Sequence, residues 1–328
     1  PFPTLYHWDL PQALDETGGW TARDTCYAFA DYAALMAKRL GDRVRYWATF
    51  NEPAVIHFLG YHIGVHAPGI KDPKASYQVA HNLLVAHGLG VQALRGVNPA
   101  LQVGIVLNLW PAEPATDTPE DLAAAEHAWQ MHGTLFLDTI FRAHYPPALI
   151  QAMGSDAPDM QPGDLALAAQ KLDFLGINYY ARAMVNAQGQ RIEKVAGSEY
   201  TEMGWEVHAP ALRRLLVRIS GEYHLPPLYI TENGAAFADQ VSPDGRVHDP
   251  RRLEYLRQHF IQAYLAMQDG VDLRGYFVWS LMDNFEWAFG YAQRFGLIYV
   301  DYETHKRYPK DSAYWYGNVS RQNGLMTE

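Results

Sequence analysis

Short apolar runs alternate along the chain with longer segments whose apolar residues recur every three to four positions. Six runs read as strands: residues 2–6, 44–50, 103–107, 174–177, 228–231 and 275–279. They are brief and not strictly alternating, the pattern of parallel strands covered on both faces. Helical periodicity fills the intervals. The first helix is expected from near Thr21-x-x-Asp24 to Gly41, with Cys26, Phe29, Ala30, Ala33, Ala37 and Leu40 on one face. A second covers about 76–95, with Ala80, Leu83, Leu84, His87, Val91 and Leu94 as its stripe. A third opens on Thr118-Pro119-Glu120-Asp121, a cap, a first-turn proline and first-turn acids together. A fourth is expected over about 210–223. A fifth starts near Asp249-Pro250 and carries Leu253, Leu256, Phe260, Tyr264 and Met267.

Alternating strand and helix argues for a parallel sheet, open or closed. A closed (β/α)8 barrel needs eight such units, and six are visible here. If the sheet is a barrel, the two amino-terminal units are absent from this sequence. No repeat, low-complexity tract or linker divides the chain, so residues 1–328 are expected to form one domain. Two long segments, 181–204 and 235–247, follow strands and read as loops on the side where a mouth would be built.

Composition narrows the class. The chain of 328 residues is 48% hydrophobic, enough for one large core, and carries a net charge of −10 without any basic run. That balance argues against nucleic acid or an anionic membrane as partner. No stretch of about 18 consecutive apolar residues suggests a membrane span. Cys26 is the single cysteine, which excludes an internal disulfide and favours a reducing, cytoplasmic setting. Aromatic residues reach 13%, with nine Trp and 21 Tyr, and suit a site walled by flat rings.

The chemistry centres on two glutamates. Glu52 lies in Thr49-Phe50-Asn51-Glu52-Pro53 and Glu232 in Ile230-Thr231-Glu232-Asn233-Gly234. Each follows an apolar run and precedes a strand breaker, so both stand at the carboxyl ends of strands, where a parallel barrel has its mouth. A pair of acids there can cleave a glycosidic bond, one protonating the leaving oxygen and the other meeting the sugar carbon. Taken singly, each reads first as a strand-end acid stabilised by a following helix dipole, and it is the two together among the other motifs that favour chemistry.

Several stretches in order resemble glycoside hydrolase family 1, the retaining β-glucosidases and their relatives. They are Thr4-Leu5-Tyr6-His7-Trp8-Asp9-Leu10-Pro11, the Glu52 segment, Gly60-Tyr61, His66-Ala67-Pro68-Gly69, Leu175-Gly176-Ile177-Asn178-Tyr179-Tyr180, the Glu232 segment, and Val278 through Trp287. The family's amino-terminal quarter, which brings a sugar-binding Gln and an Arg beside the nucleophile, has no counterpart in this sequence. The resemblance implies a (β/α)8 barrel hydrolysing terminal β-D-glucosides, with β-fucosides or β-galactosides as further substrates and cello-oligosaccharides such as cellobiose in range. It implies Glu232 as nucleophile, held and kept acidic by Tyr180, and Glu52 as acid/base, its pKa raised by burial and by the charge of Glu232. It places Asn51 at the sugar 2-hydroxyl, His7 and Trp8 at the 3-hydroxyl, and Asn178 near the nucleophile. Trp279 becomes the floor under the sugar, Glu286 and Trp287 meet its 4- and 6-hydroxyls, Phe295 closes a wall, and Trp205 forms the aglycone platform. Ala54 and Leu59 fall at the entrance.

Glu286 separates two branches of such enzymes. A 6-phosphorylated sugar calls for Lys or Arg near its dianion, whereas Asn284-Phe285-Glu286-Trp287 offers an acid. Unmodified glycosides are therefore expected. No metal and no organic cofactor is implied: His62 and His66 are separated by Gly64 and followed by a turn, His81 and His87 fall on different helix faces, and no phosphate-binding loop follows a strand. Asn318-Val319-Ser320 fits a glycosylation pattern that matters only on a eukaryotic secretory route. Two other readings use the same residues: a silent sugar-binding or scaffold protein, and a transglycosylase. Unpaired edge strands would also invite an amino-terminal fragment or a second copy to cover the gap.

Overall fold

The computed structural model describes residues 1–325. Its centre is a six-stranded parallel sheet of β1 (Thr4–Tyr6), β2 (Tyr46–Asn51), β3 (Gln102–Asn108), β4 (Phe174–Asn178), β5 (Leu228–Glu232) and β6 (Leu273–Tyr276), paired in chain order. Five expected strands lie within a few residues of their positions. The sixth is corrected: it runs Leu273–Tyr276, three residues before its predicted end. The pairing gives out beyond Tyr276, with a last bond from the Phe277 N–H to the Ile230 carbonyl at 2.8 Å, and Trp279 beyond it turns towards His7.

Helices α1 (Arg23–Leu40), α2 (Pro73–Val97), α3 (Pro119–His132), α4 (Thr134–Arg142), α5 (Pro210–Glu222), α6 (Pro250–Gln268) and α7 (Asp311–Gln322) accompany the sheet. The α1 stripe is as read, with Cys26, Phe29, Ala33 and Ala37 buried, but Thr21 does not cap it. Its hydroxyl bonds back to the Gly18 carbonyl at 2.6 Å, and Ala22 stands at the cap. Asp72 caps α2 and Thr118 caps α3 through side-chain oxygens, each accepting from backbone N–H groups of the first turn. In α2 both His81 and His87 are buried, since helices and sheet surround that element.

The α6 stripe is a second correction. Tyr264 and Met267 are exposed, and the buried face is Arg252, Tyr255, Leu256, His259, Ala263 and Ala266. A buried ion cluster explains this. Arg252 pairs with Asp239 at 2.7 Å and Asp249 at 2.8 Å, and Lys310 pairs with Asp239 at 2.6 Å and Asp283 at 3.0 Å. Removing one member of such a cluster strands a buried charge, at a cost of about 3–5 kcal/mol. The cluster fastens the loop after β5 to the segment after β6.

The sheet curls until its ends face each other. Phe2, just before β1, stacks on Tyr46 at 4.3 Å and meets Phe174, Tyr229 and Phe277 at 5.1–5.5 Å between ring centroids. These rings plug the amino-terminal end of the interior. Gly104 on β3 makes room for them, because a Cβ there would lie 2.7 Å from the Phe174 ring. The opposite end, at the strand carboxyl termini, remains open. No helix among the described residues is long and apolar enough to cross a membrane.

Candidate active site

Sheet register brings the two glutamates to one level. Glu52 follows β2, and its N–H donates to the Val106 carbonyl of β3 at 2.9 Å. Glu232 ends β5 directly opposite Asn178 of β4. Two strands therefore separate the acids along the sheet, and its curl aims both inward. Glu52 also precedes a short helix, Pro53–His57, but its carboxyl makes no capping bond. The dipole-stabilised reading fails for it.

Hydrogen bonds orient each carboxyl separately. Asn178 Nδ2 donates to Glu52 Oε1 at 2.6 Å and to Asn51 Oδ1 at 3.0 Å, while Asn178 Oδ1 accepts from Thr231 at 2.7 Å. The Tyr180 hydroxyl donates to Glu232 Oε2 at 2.7 Å. Asn108, at the end of β3, adds a hydrogen bond to Glu52 that the sequence reading did not include.

Burial dominates the electrostatics. It pushes Glu52 up to about 7, with the Asn178 and Asn108 bonds pulling down and the charge of Glu286 adding to the rise. Glu232 is raised well above the ordinary carboxylate range, first by burial and then by the charge of Glu52. The Tyr180 bond lowers Glu232 as expected, but burial and the charge of Glu52 outweigh it. Burial raises both carboxyls, and ionising one disfavours ionising the other, because the doubly ionised pair is the costly form. A singly protonated pair supplies one acid and one carboxylate.

Aromatic rings and neutral donors surround the acids. His7 follows β1; burial lowers it to about 4, so its imidazole is neutral, and it lies 3.3 Å from Asn51 Nδ2. Its ring stacks near Trp279 and Trp287, each at 6.0 Å. Trp8 donates to the Asn51 carbonyl at 3.0 Å and packs on Trp287 at 4.7 Å. The Trp279 side chain bonds Glu286, whose carboxyl burial pushes up to about 7. Trp205 meets Tyr180 at 5.1 Å and Trp110 at 5.6 Å. Phe295 is only 2% exposed and backs Tyr180 and Trp205 from behind, rather than offering an open wall. His66 joins Trp8 at 5.4 Å and Trp287 at 6.3 Å, a contact hidden in the sequence because it arises between loops.

The backbone is strained where these side chains are. Trp8, Glu52 and Trp287 have φ of 78°, 48° and 45°, three of six non-glycine residues with positive φ among those described. Such conformations cost on the order of 1–3 kcal/mol each and persist where surrounding structure overdetermines them.

Strands curled around one open mouth, with two buried acids, neutral donors and indole rings there, define a barrel glycosidase. The chain belongs to glycosyl hydrolase family 1, whose model matches residues 1–325. It is 45% identical to beta-glucosidase A of Thermotoga maritima over 99% of its own length and 74% of that protein. It is 41% identical to a bifunctional beta-D-glucosidase/beta-D-fucosidase of Bifidobacterium breve, over 96% and 74% of the two chains. Its coordinates superpose on a Thermotoga maritima beta-glucosidase solved with glucoimidazole, with a TM-score of 0.95 at 44% identity, covering 99% of this chain and 74% of that one. The six strands are thus units of a (β/α)8 barrel.

Proposed function

We propose that this chain hydrolyses terminal non-reducing β-D-glucosides with retention, β-fucosides being accepted as well, through a covalent glycosyl-enzyme at Glu232. The single observation that carries the reading is the pair of buried carboxyls at strand ends, Glu232 accepting from Tyr180 and Glu52 from Asn178; which acid plays which part follows the family motif. In the first step Glu52 gives its proton to the leaving oxygen as Glu232 bonds the anomeric carbon and the glycosidic C–O bond breaks. Esterification removes the Glu232 charge, and Glu52, now a carboxylate, takes a proton from the attacking water. That water's oxygen bonds the anomeric carbon and Glu232 departs. The resident charge at the 6-position side is Glu286, so a 6-phosphoglucoside would be refused.

His7, Trp8, Asn51, Trp279, Glu286 and Trp287 would bind the sugar, with Asn178 beside the acids. Trp205 would take the aglycone, and Phe295 would support it. The reducing, cytoplasmic setting rests on buried, unpaired Cys26. Among the described residues, strands β1 and β6 each pair on one side only, and an amino-terminal fragment or second copy would add there; native mass measures that.

The experiment is turnover of a chromogenic β-glucoside, followed by a 2-fluoro-glucoside inactivator and peptide mapping. Label on Glu232 supports the reading, and label on Glu52 reverses the roles. Sugar binding without turnover would leave a silent scaffold. Transfer products dominating at moderate acceptor concentration would make the protein a transglycosylase.

A further inference from the structure

The residue after Glu232 is committed to an unusual degree. Asn233 is fully buried, and its amide makes three hydrogen bonds. Nδ2 donates to the Tyr179 carbonyl at 2.8 Å and to the Tyr255 hydroxyl at 3.0 Å, and Oδ1 accepts from the Tyr276 hydroxyl at 2.5 Å. Its backbone carbonyl accepts the Trp279 N–H at 3.0 Å. The Tyr255 hydroxyl in turn donates a hydrogen bond to the Tyr180 carbonyl at 3.3 Å. Gly234 permits the crossing, since a Cβ there would sit 1.8 Å from the Trp279 carbonyl.

The β4–β5 ladder ends at Asn178 and Glu232, with one last backbone bond from Tyr179 N–H to the Glu232 carbonyl at 3.0 Å. The next rung is supplied by the Asn233 side chain. An amide suits it, giving two donors, to the Tyr179 carbonyl and the Tyr255 hydroxyl, and an acceptor for the Tyr276 hydroxyl on one group. We propose that Asn233, braced by Tyr255 and Tyr276, is a positioning residue that holds Glu232 and Tyr180 in mutual register beyond the end of the sheet. This rests on Glu232 being the nucleophile. Tyr180 then meets the carboxyl at 2.7 Å because the chain segments bearing both groups are tied by one side chain.

The test compares wild type with Asn233→Asp and Tyr276→Phe, alone and combined with Tyr180→Phe, on an aryl β-glucoside. Asn233→Asp puts an acceptor against the Tyr179 carbonyl, and Tyr276→Phe removes one donor with little change of shape. Each should lower kcat roughly tenfold with KM moving by less than about threefold, as expected when reacting groups are misplaced by a fraction of an ångström. In the Tyr180→Phe background the loss should shrink to about twofold or less, because the contact being positioned is already gone. Losses that multiply in the double variants, or folded single variants with kcat within about twofold of wild type, would overturn the proposal. If Asn233→Asp does not fold, Tyr276→Phe carries the same comparison. A wild type without turnover removes the activity reading and this inference together; an active wild type with unaffected variants removes this inference alone.

Discussion

Asn178 donates to Glu52 at 2.6 Å while its own backbone pairs with Glu232 on the neighbouring strand, so one residue serves both acids. Its side chain also acts electrostatically, since its hydrogen bonds lower both carboxyls against the rise that burial imposes. Replacing it by Ala removes a donor that favours the ionised forms, so both carboxyls should titrate at higher pH. We expect the acidic limb of kcat/KM to move upward for Asn178→Ala and its maximum to fall on the order of a hundredfold, since the acid is also released from its geometry. A pH–rate profile measures both, and an unmoved acidic limb would contradict the electrostatic part.

Glu286 has the opposite sign of effect. Its negative charge raises Glu52 and Glu232, and burial has lifted its own carboxyl to about 7. It is therefore charged only towards and above neutrality, and only there can it hold protons on the pair. Glu286→Gln should pull the basic limb of kcat/KM to lower pH while leaving the acidic limb nearly in place. The height of the profile will fall as well, through lost contact with the sugar; the shape is the informative quantity.

The two acids can be assigned by azide. Glu232→Gly opens the face opposite the leaving group, so azide added to an activated β-glucoside should yield the α-glycosyl azide. Glu52→Ala leaves the nucleophile intact and removes the acid/base, so azide should intercept the glycosyl-enzyme and give the β-product. Loss of activity in Glu52→Ala should be milder for substrates with good leaving groups, which need little protonation. Product stereochemistry by NMR decides, and interchanged products reverse the roles.

What could be read from the chain follows from where the physics is local. Parallel strands buried on both faces announce themselves as apolar runs, and five of six were placed within a few residues. The sixth went astray because Phe277 is apolar for the amino-terminal plug and Trp279 for the mouth, not for the ladder. The α6 face was misread because its buried side includes Arg252, which serves an ion cluster assembled from four separate segments, and Tyr255 and His259, which stack on each other beneath the strand ends. Apolar periodicity is blind to a buried polar face. Glu52 and Glu232 were legible by motif and the rise of Glu52 was expected, but the rise of Glu232, the Asn108 bond and the His66 contact are created only when distant strand ends meet.

A final consequence concerns stability. Glu52 is 4% exposed, and its carboxyl, ordinarily titrating at 4.5, titrates at about 7 in the folded chain. Below about pH 4.5 the folded and unfolded forms both carry the proton, and the buried acid costs nothing extra. As pH rises, the unfolded chain ionises first, and the folded chain must hold or lose its proton at a disadvantage. By pH 8 the difference amounts to on the order of 3 kcal/mol against folding, at about 1.4 kcal/mol per pH unit between the two values. Glu52→Gln keeps an oxygen for Asn178 and cannot ionise. It should therefore be more stable than wild type at pH 8, with the advantage shrinking through pH 6 and vanishing near pH 4.5. Urea denaturation of both proteins at three pH values gives the measurement. A gain of equal size at every pH would mean that packing, not a buried charge, is responsible, and a loss at pH 8 would mean that this acid is better solvated than its surroundings allow.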